Sequence, residues 1–122
     1  MTRINLGYPP KKLTRLHLLS EIREIKRIPN CIKSGKAKLE NATNVFKLGA
    51  GHVTFFYRRL GYLKKRYIEL YNECLLRGYN VTNFVSAWDN VPEYLMNDYE
   101  PTDQDKKIIE ERIKEKTLLI NF

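Results

Sequence analysis

His17 and Glu24 stand seven residues apart in the segment HLLSEIREIKRIP. Seven residues are two turns of helix, and at 3.6 residues per turn the two side chains point within about 20° of each other. An imidazole and a carboxylate so placed could serve one site. Glu24 also has basic neighbours, Arg23, Lys26 and Arg27. On a purely phosphate-binding surface such a negative charge is a cost unless it has chemistry to do. The same spacing fits a plainer arrangement, in which Glu24 pairs with a neighbouring arginine, with Lys26 or with Lys11 at the surface. Gly49-Ala50-Gly51-His52 invites comparison with a phosphate cradle, but the Lys-Ser/Thr ending of a P-loop is missing and no G-x-G-x-x-G follows a strand. These glycines fit tight backbone packing or an open backbone approach to something else. With two histidines in the chain and no second histidine at metal spacing from His52, neither a metal nor a cofactor is expected.

Charge narrows the class of partner. The chain has 22 Lys and Arg against 14 Asp and Glu, a net +8 over 122 residues. The cations come in groups: Lys11, Lys12 and Arg15; Arg23, Lys26 and Arg27; Lys33, Lys36 and Lys38; Arg58, Arg59, Lys64, Lys65 and Arg66. Groups on different elements can form one phosphate-binding face for a polyanion. The plainer alternative is a set of solvated helix faces. Charge alone supports binding and not catalysis.

The opening MTRINLGYPPKK has no apolar run of signal-peptide length, and no stretch approaches the roughly 18 apolar residues of a membrane span. A soluble, intracellular, monomeric protein with no membrane partner is expected. Cys31 and Cys74 lie outside any metal or disulfide pattern and read as reduced thiols.

These groups need a scaffold, and its pattern is helical. Pro9 and Pro10 make residues 1–12 an irregular arm. A first helix is expected from Leu13 or Thr14, with Leu18, Leu19, Ile22 and Ile25 on the core side and His17, Ser20, Arg23, Glu24 and Arg27 opposite. Pro29 should end or kink it, and residues 34–44 should form a loop. A second helix is expected along Phe56, Leu60, Leu63, Tyr67, Leu70 and Cys74, closing near Arg77 before Gly78, with basic residues on its outer face. Thr102 with Asp105 has capping-box spacing and announces a third helix through Ile108, Ile109, Arg112, Ile113 and Lys116. VTNFV at 81–85 could be a short strand, without an obvious partner. The expected fold is all-α, a compact single domain over 1–122 of three main helices with irregular connecting loops.

The segments MTRINL, HLLSEIREIKRIP and LGAGHVTFFY occur in that order. As a set they resemble the pyrimidine-dimer DNA glycosylases of the phage endonuclease V type, over a span from Met1 to about Lys116. The resemblance implies a DNA-repair enzyme acting on double-stranded DNA that contains cyclobutane pyrimidine dimers or abasic sites. It implies removal of Met1 and a nucleophile at the α-amino group of Thr2. An α-amine has an unperturbed pKa of about 7.7 to 8.0, so part of it is neutral near pH 7. Attack at C1′ of the dimer's 5′ sugar displaces the base and leaves a Schiff base, from which β-elimination cuts the strand. Glu24 matches the family's catalytic carboxylate. Arg3, Arg23 and Arg27 match phosphate-holding residues. His17 matches a residue near the sugar, and Arg112 and Lys116 correspond more loosely to basic residues of the third helix.

The chain departs from the family pattern in three places. The arm has one extra residue around Pro9 and Pro10. Leu16 stands where phage members carry a polar residue. The end, KTLLINF, lacks their aromatic-rich tail. Two competing readings follow: a lyase or glycosylase for another base lesion, and a catalytically silent basic DNA-binding domain, which a retained Met1 would favour.

Overall fold

The first long helix, α1, spans Arg15–Ile25. It starts where Thr14, in an extended conformation, turns its side chain to accept the backbone N–H of His17, an N-cap that satisfies one of the orphan donors of the first turn. It stops at Ile25 because of Pro29. A proline ring collides with the carbonyl four residues earlier and offers no N–H to it. That carbonyl belongs to Ile25, so the chain bends at Lys26 and restarts as α2, Arg27–Lys33, with Pro29 harmlessly in its first turn. The expected effect of Pro29 is thus felt four residues upstream. In the computed structural model, which describes residues 3–120 and side chains only as far as Lys116, the connection after α2 is irregular except for a single 3-10 turn at Leu39–Asn41.

A four-residue helix α3, His52–Phe55, follows Gly51, which sits at φ +91°. The long helix α4 runs Leu60–Leu76. It begins later than the apolar stripe suggested. Phe56 is fully buried but belongs to the turn after α3, and the backbone breaks at Arg59. The remaining stripe of Leu60, Leu63, Tyr67, Leu70 and Cys74 is all core. At its end Tyr79 N–H reaches the Cys74 carbonyl (2.9 Å) and Gly78 N–H the Leu75 carbonyl (3.0 Å), with Gly78 at φ +78°. That is a Schellman closure, and it needs a residue that tolerates the left-handed region.

Residues 81–85 do not form a strand. The segment runs irregularly across α4 into a 3-10 turn at Val85–Trp88, and the Tyr67 hydroxyl holds it, donating to the Thr82 carbonyl and accepting Phe84 N–H. The last helix, α5, spans Asp103–Ile120. Its capping box is complete: Asp105 N–H donates to Thr102 Oγ1 (3.1 Å) and Thr102 N–H to Asp105 Oδ2 (3.0 Å).

Among the described residues there is no strand, and the fold is all-α, as expected. One core unites arm, α1, α4 and α5, with Ile4, Leu6, Leu18, Ile25, Leu63 and Ile109 fully or nearly fully buried within it. Arg77, at the C-terminal cap of α4, donates to the carbonyls of Pro10, Lys11 and Leu13. It thereby ties the end of the arm to the bundle. No described helix is long and apolar enough to cross a membrane.

Candidate active site

Residues 4–6 of the arm lie inside the protein. Ile4 and Leu6 are fully buried, and their backbone polar groups must therefore find partners. Ile4 N–H donates to His52 Nε2 at 2.9 Å. His52, only 1 % exposed, uses its other nitrogen against the Lys47 carbonyl at 3.0 Å. Burial drives its pKa down to about 4; the Lys47 carbonyl and Glu21 oppose the shift, and the arginines Arg3 and Arg112 add to it. Asn5, also buried, donates its side-chain N–H to Glu21 Oε1 (2.7 Å), while Arg112 Nη1 donates to Asn5 Oδ1 (3.1 Å).

Glu21 is the hub of this arrangement. On α1 it lies 1 % exposed and receives Arg66 of α4, itself 3 % exposed, through Nε to Oε2 at 2.7 Å and Nη2 to Oε1 at 3.1 Å. Arg66 spends a further N–H on the Tyr8 carbonyl (2.6 Å). Burial alone would favour the neutral guanidine, but the Glu21 carboxylate outweighs it and raises the Arg66 pKa. A two-pronged guanidinium–carboxylate pair, with the third guanidinium nitrogen also bonded, is a form in which a buried ion pair is tolerable. It fixes α1 against α4 and both against the arm.

Around this hub the structure gathers most of the residues singled out in the sequence. Burial, then Arg112, lowers the His17 pKa; Glu21 opposes this and Lys116 adds to it, so α5 faces the start of α1. Arg112 is half-buried, and burial and Arg3 lower its pKa while Glu21 and Glu24 partly restore it. Arg3, His17, Glu24, Arg112 and Lys116 thus share one electrostatic neighbourhood, built by arm, α1 and α5. The Glu24 carboxylate is mostly covered, and Arg27 Nη1 stands 4.0 Å from it, at the outer limit of an ion pair. The plainer reading of Glu24 as one half of a surface ion pair therefore applies only loosely.

Arg23 and Arg27 are exposed and lie four residues apart, one in α1 and one at the start of α2. Arg23 also borders a groove of about 270 Å³ with Lys26, Leu19, Ile22, Tyr67 and Phe84, where Lys26 Nζ sits 3.5 Å from the Phe84 ring centroid. Thr2, the expected nucleophile, lies outside the described residues.

Within the basic group at 58–66, Arg59 and Arg66 turn inward and are not available to a phosphate face. Arg66 is internal. Arg59 packs over the Phe55 ring at 4.0 Å and donates to the Phe55 and Thr43 carbonyls. Lys65 pairs with Asp98 beside a second cavity of about 430 Å³, which Tyr8, Pro10, Tyr62, Tyr99 and Lys106 also line. None of the described residues named as site candidates borders that cavity.

Asn5, Glu21, His52 and Arg66 were not singled out for this site by sequence. A signal existed for two of them. On a 100° wheel Glu21 lies about 40° from Ile25, and Arg66 about 40° from Leu70, so each sits at the margin of an apolar arc. Opposite charges at the core edges of two helices are candidates for a buried pair.

The family model of pyrimidine dimer DNA glycosylases matches residues 1–87. That stretch includes the arm, α1, His52 and Arg66, and it ends before α5 and its Arg112. With most of its length matched, including the elements that build the buried hub and hold the arm, the chain belongs to the pyrimidine dimer DNA glycosylase family.

Proposed function

We propose that residues 1–122 form one monomeric, bifunctional enzyme, a pyrimidine-dimer DNA glycosylase with abasic-site lyase activity, whose nucleophile is the α-amine of Thr2 after removal of Met1. The electrostatic neighbourhood that Arg112 shares with Arg3 and Glu24, together with its bond to Asn5 of the arm, carries this reading. The arm from Asn5 to Tyr8 is held by side chains of α1, α4 and α5, and the mostly covered Glu24 carboxylate shares its electrostatic neighbourhood with Arg3 and Arg112. Such preorganisation suits a nucleophile that must meet one carbon of one sugar.

The neutral amine attacks C1′, the glycosidic C–N bond breaks, and the departing base takes up a proton. Opening of the sugar ring gives a protonated imine, which acidifies the 2′ hydrogen. Loss of that proton expels the 3′ phosphate and cuts the strand. Glu24 would stabilise positive charge at the sugar and carry protons through ring opening and elimination. Arg3, Arg23 and Arg27 would hold phosphates, His17 would stand near the sugar, and Arg112 and Lys116 would extend the cationic surface from α5. A dimer weakens pairing and eases kinking, so damage can be selected without base-edge contacts.

The test is incision of a duplex carrying one cyclobutane thymine dimer, beside a matched duplex carrying one abasic site, each with borohydride to trap an imine. Trapping on both, reduced at least about 100-fold by Glu24→Gln, supports the full reading. Trapping on the abasic duplex alone rejects the dimer assignment and favours a lyase for another lesion. No trapping on either favours a silent DNA-binding domain.

A further inference from the structure

We propose that His52 is the positioning residue of the N-terminal amine, a neutral imidazole clamp that fixes the arm by accepting the Ile4 N–H and that releases it when protonated. The inference rests on the reading of Thr2 as nucleophile.

The ring has one protonation state that fits. A backbone N–H can only donate, so Nε2 must carry a lone pair toward Ile4, and a carbonyl can only accept, so Nδ1 must carry the proton toward Lys47. The neutral Nδ1–H tautomer satisfies both partners, whereas a protonated ring would set N–H against N–H at Ile4. The surroundings keep it neutral. Phe46 and Phe56 flank the ring with centroids at 5.4 and 5.6 Å. The charged groups facing it are Arg3 from the arm, Arg112 from α5 and Glu21 from α1, two cations against one anion. Burial is the largest influence and works in the same direction as the cations.

Ile4 is two residues from Thr2, so the clamp acts within about 7 Å of chain from the amine. A displacement of about 1 Å at a reacting atom can cost about 100-fold in rate. Glu21 and Arg112 fix Asn5 by its side chain. His52 holds a backbone donor of the arm at Ile4, as the Tyr62 hydroxyl does at Gly7 (3.2 Å), and Ile4 is the nearer of the two to Thr2 in the chain. The base and strand chemistry need no role for the imidazole itself, which is buried and satisfied on both nitrogens.

The experiment compares wild type, His52→Phe and His52→Gln, each with Met1 removed, in single-turnover imine trapping on an abasic duplex at saturating enzyme. Glutamine can place its amide oxygen where Nε2 stands and does not titrate. His52→Phe should slow trapping about 100-fold with duplex affinity changed less than about threefold, while His52→Gln should stay within about tenfold of wild type. Ile4 amide exchange should be protected in wild type and His52→Gln and lost in His52→Phe, and the ring ¹⁵N shifts of wild type should report the neutral Nδ1–H tautomer at neutral pH. Acidification toward pH 4 should deprotect Ile4 in wild type and not in His52→Gln. Equal trapping by wild type and folded His52→Phe overturns the clamp, as does an Nε2–H tautomer or an Ile4 deprotection curve shared by His52→Gln. Should His52→Phe fail to fold, the tautomer and the glutamine curve decide. A wild type that traps nothing on the abasic duplex sinks the amine reading instead, a result separate from any difference among the variants.

Discussion

Replacing Glu21 with Gln would leave the Arg66 guanidinium inside the protein without its counter-charge. The carboxylate now takes three N–H bonds, at 2.7 and 3.1 Å from Arg66 and 2.7 Å from Asn5. The amide nitrogen of the variant must face at least one of those donors. Both partners are almost completely buried, so water cannot compensate. Breaking one side of a buried pair costs about 3–5 kcal/mol, against a total stability of about 5–15 kcal/mol for a domain of this size. With a urea slope of about 2 kcal/mol/M, the middle of the usual range, the midpoint should fall by about 1.5–2.5 M. The combined variant Glu21→Leu, Arg66→Met removes both charges and should be more stable than Glu21→Gln, because neither charge is then stranded. Urea melts of wild type and the three variants Glu21→Gln, Arg66→Met and the combined one form the assay. A loss under about 1 kcal/mol for Glu21→Gln, the size of a surface pair, would refute the buried-pair assignment.

Acid should weaken the fold through its histidines. The His52 pKa is about 4 in the folded protein against 6.5 unfolded, so the unfolded state binds the proton first and stability falls as pH drops from 6.5 toward 4. His52 contributes a loss of about 3 kcal/mol at most, and the lowered His17 pKa adds in the same direction. Melts across that window should show the loss and His52→Gln should reduce it; an unchanged slope in His52→Gln would exclude His52 as the cause. Duplex affinity should fall steeply with salt, and Arg23→Ala and Arg27→Ala should each reduce the log–log slope by about 0.9. Lys65→Ala should leave that slope unchanged, since Lys65 pairs with Asp98 away from the site, and the reverse ranking would move the DNA surface elsewhere. Gly61→Ala should cost about 1–3 kcal/mol. A Cβ there would stand 2.7 Å from the Met96 carbonyl oxygen and 3.0 Å from that of Asn97. A neutral result in urea melts would mean that the 96–97 segment yields.

The sequence shows most clearly what depends on local pattern. The stripe from Leu60 to Cys74, the Gly78 closure and the Thr102–Asp105 box are each decided within one or two turns of chain, and the structure contains all three. The α1 bend was visible through Pro29, but its position required counting back to the Ile25 carbonyl. What depended on distant partners was hidden. Charge count treated Arg59 and Arg66 as surface cations because it cannot weigh Glu21, 45 residues from Arg66, or the rings that cover Arg59. VTNFV has strand-like residues, yet a strand needs a neighbour, and here the Tyr67 hydroxyl takes its polar groups instead. His17, Glu24 and Arg112 were legible as candidates by spacing and resemblance. Asn5, Glu21 and His52 were not, since their work is to hold the arm and only the folded arrangement reveals it.

The most direct test of the central claim locates the covalent bond. Met-processed protein is trapped with borohydride on a duplex bearing one thymine dimer, the DNA is digested, and the modified peptide is sequenced by mass spectrometry. The account predicts a sugar remnant on the α-nitrogen of Thr2 and no adduct when Met1 is retained. An adduct on a lysine side chain, or equal trapping with Met1 in place, would contradict it.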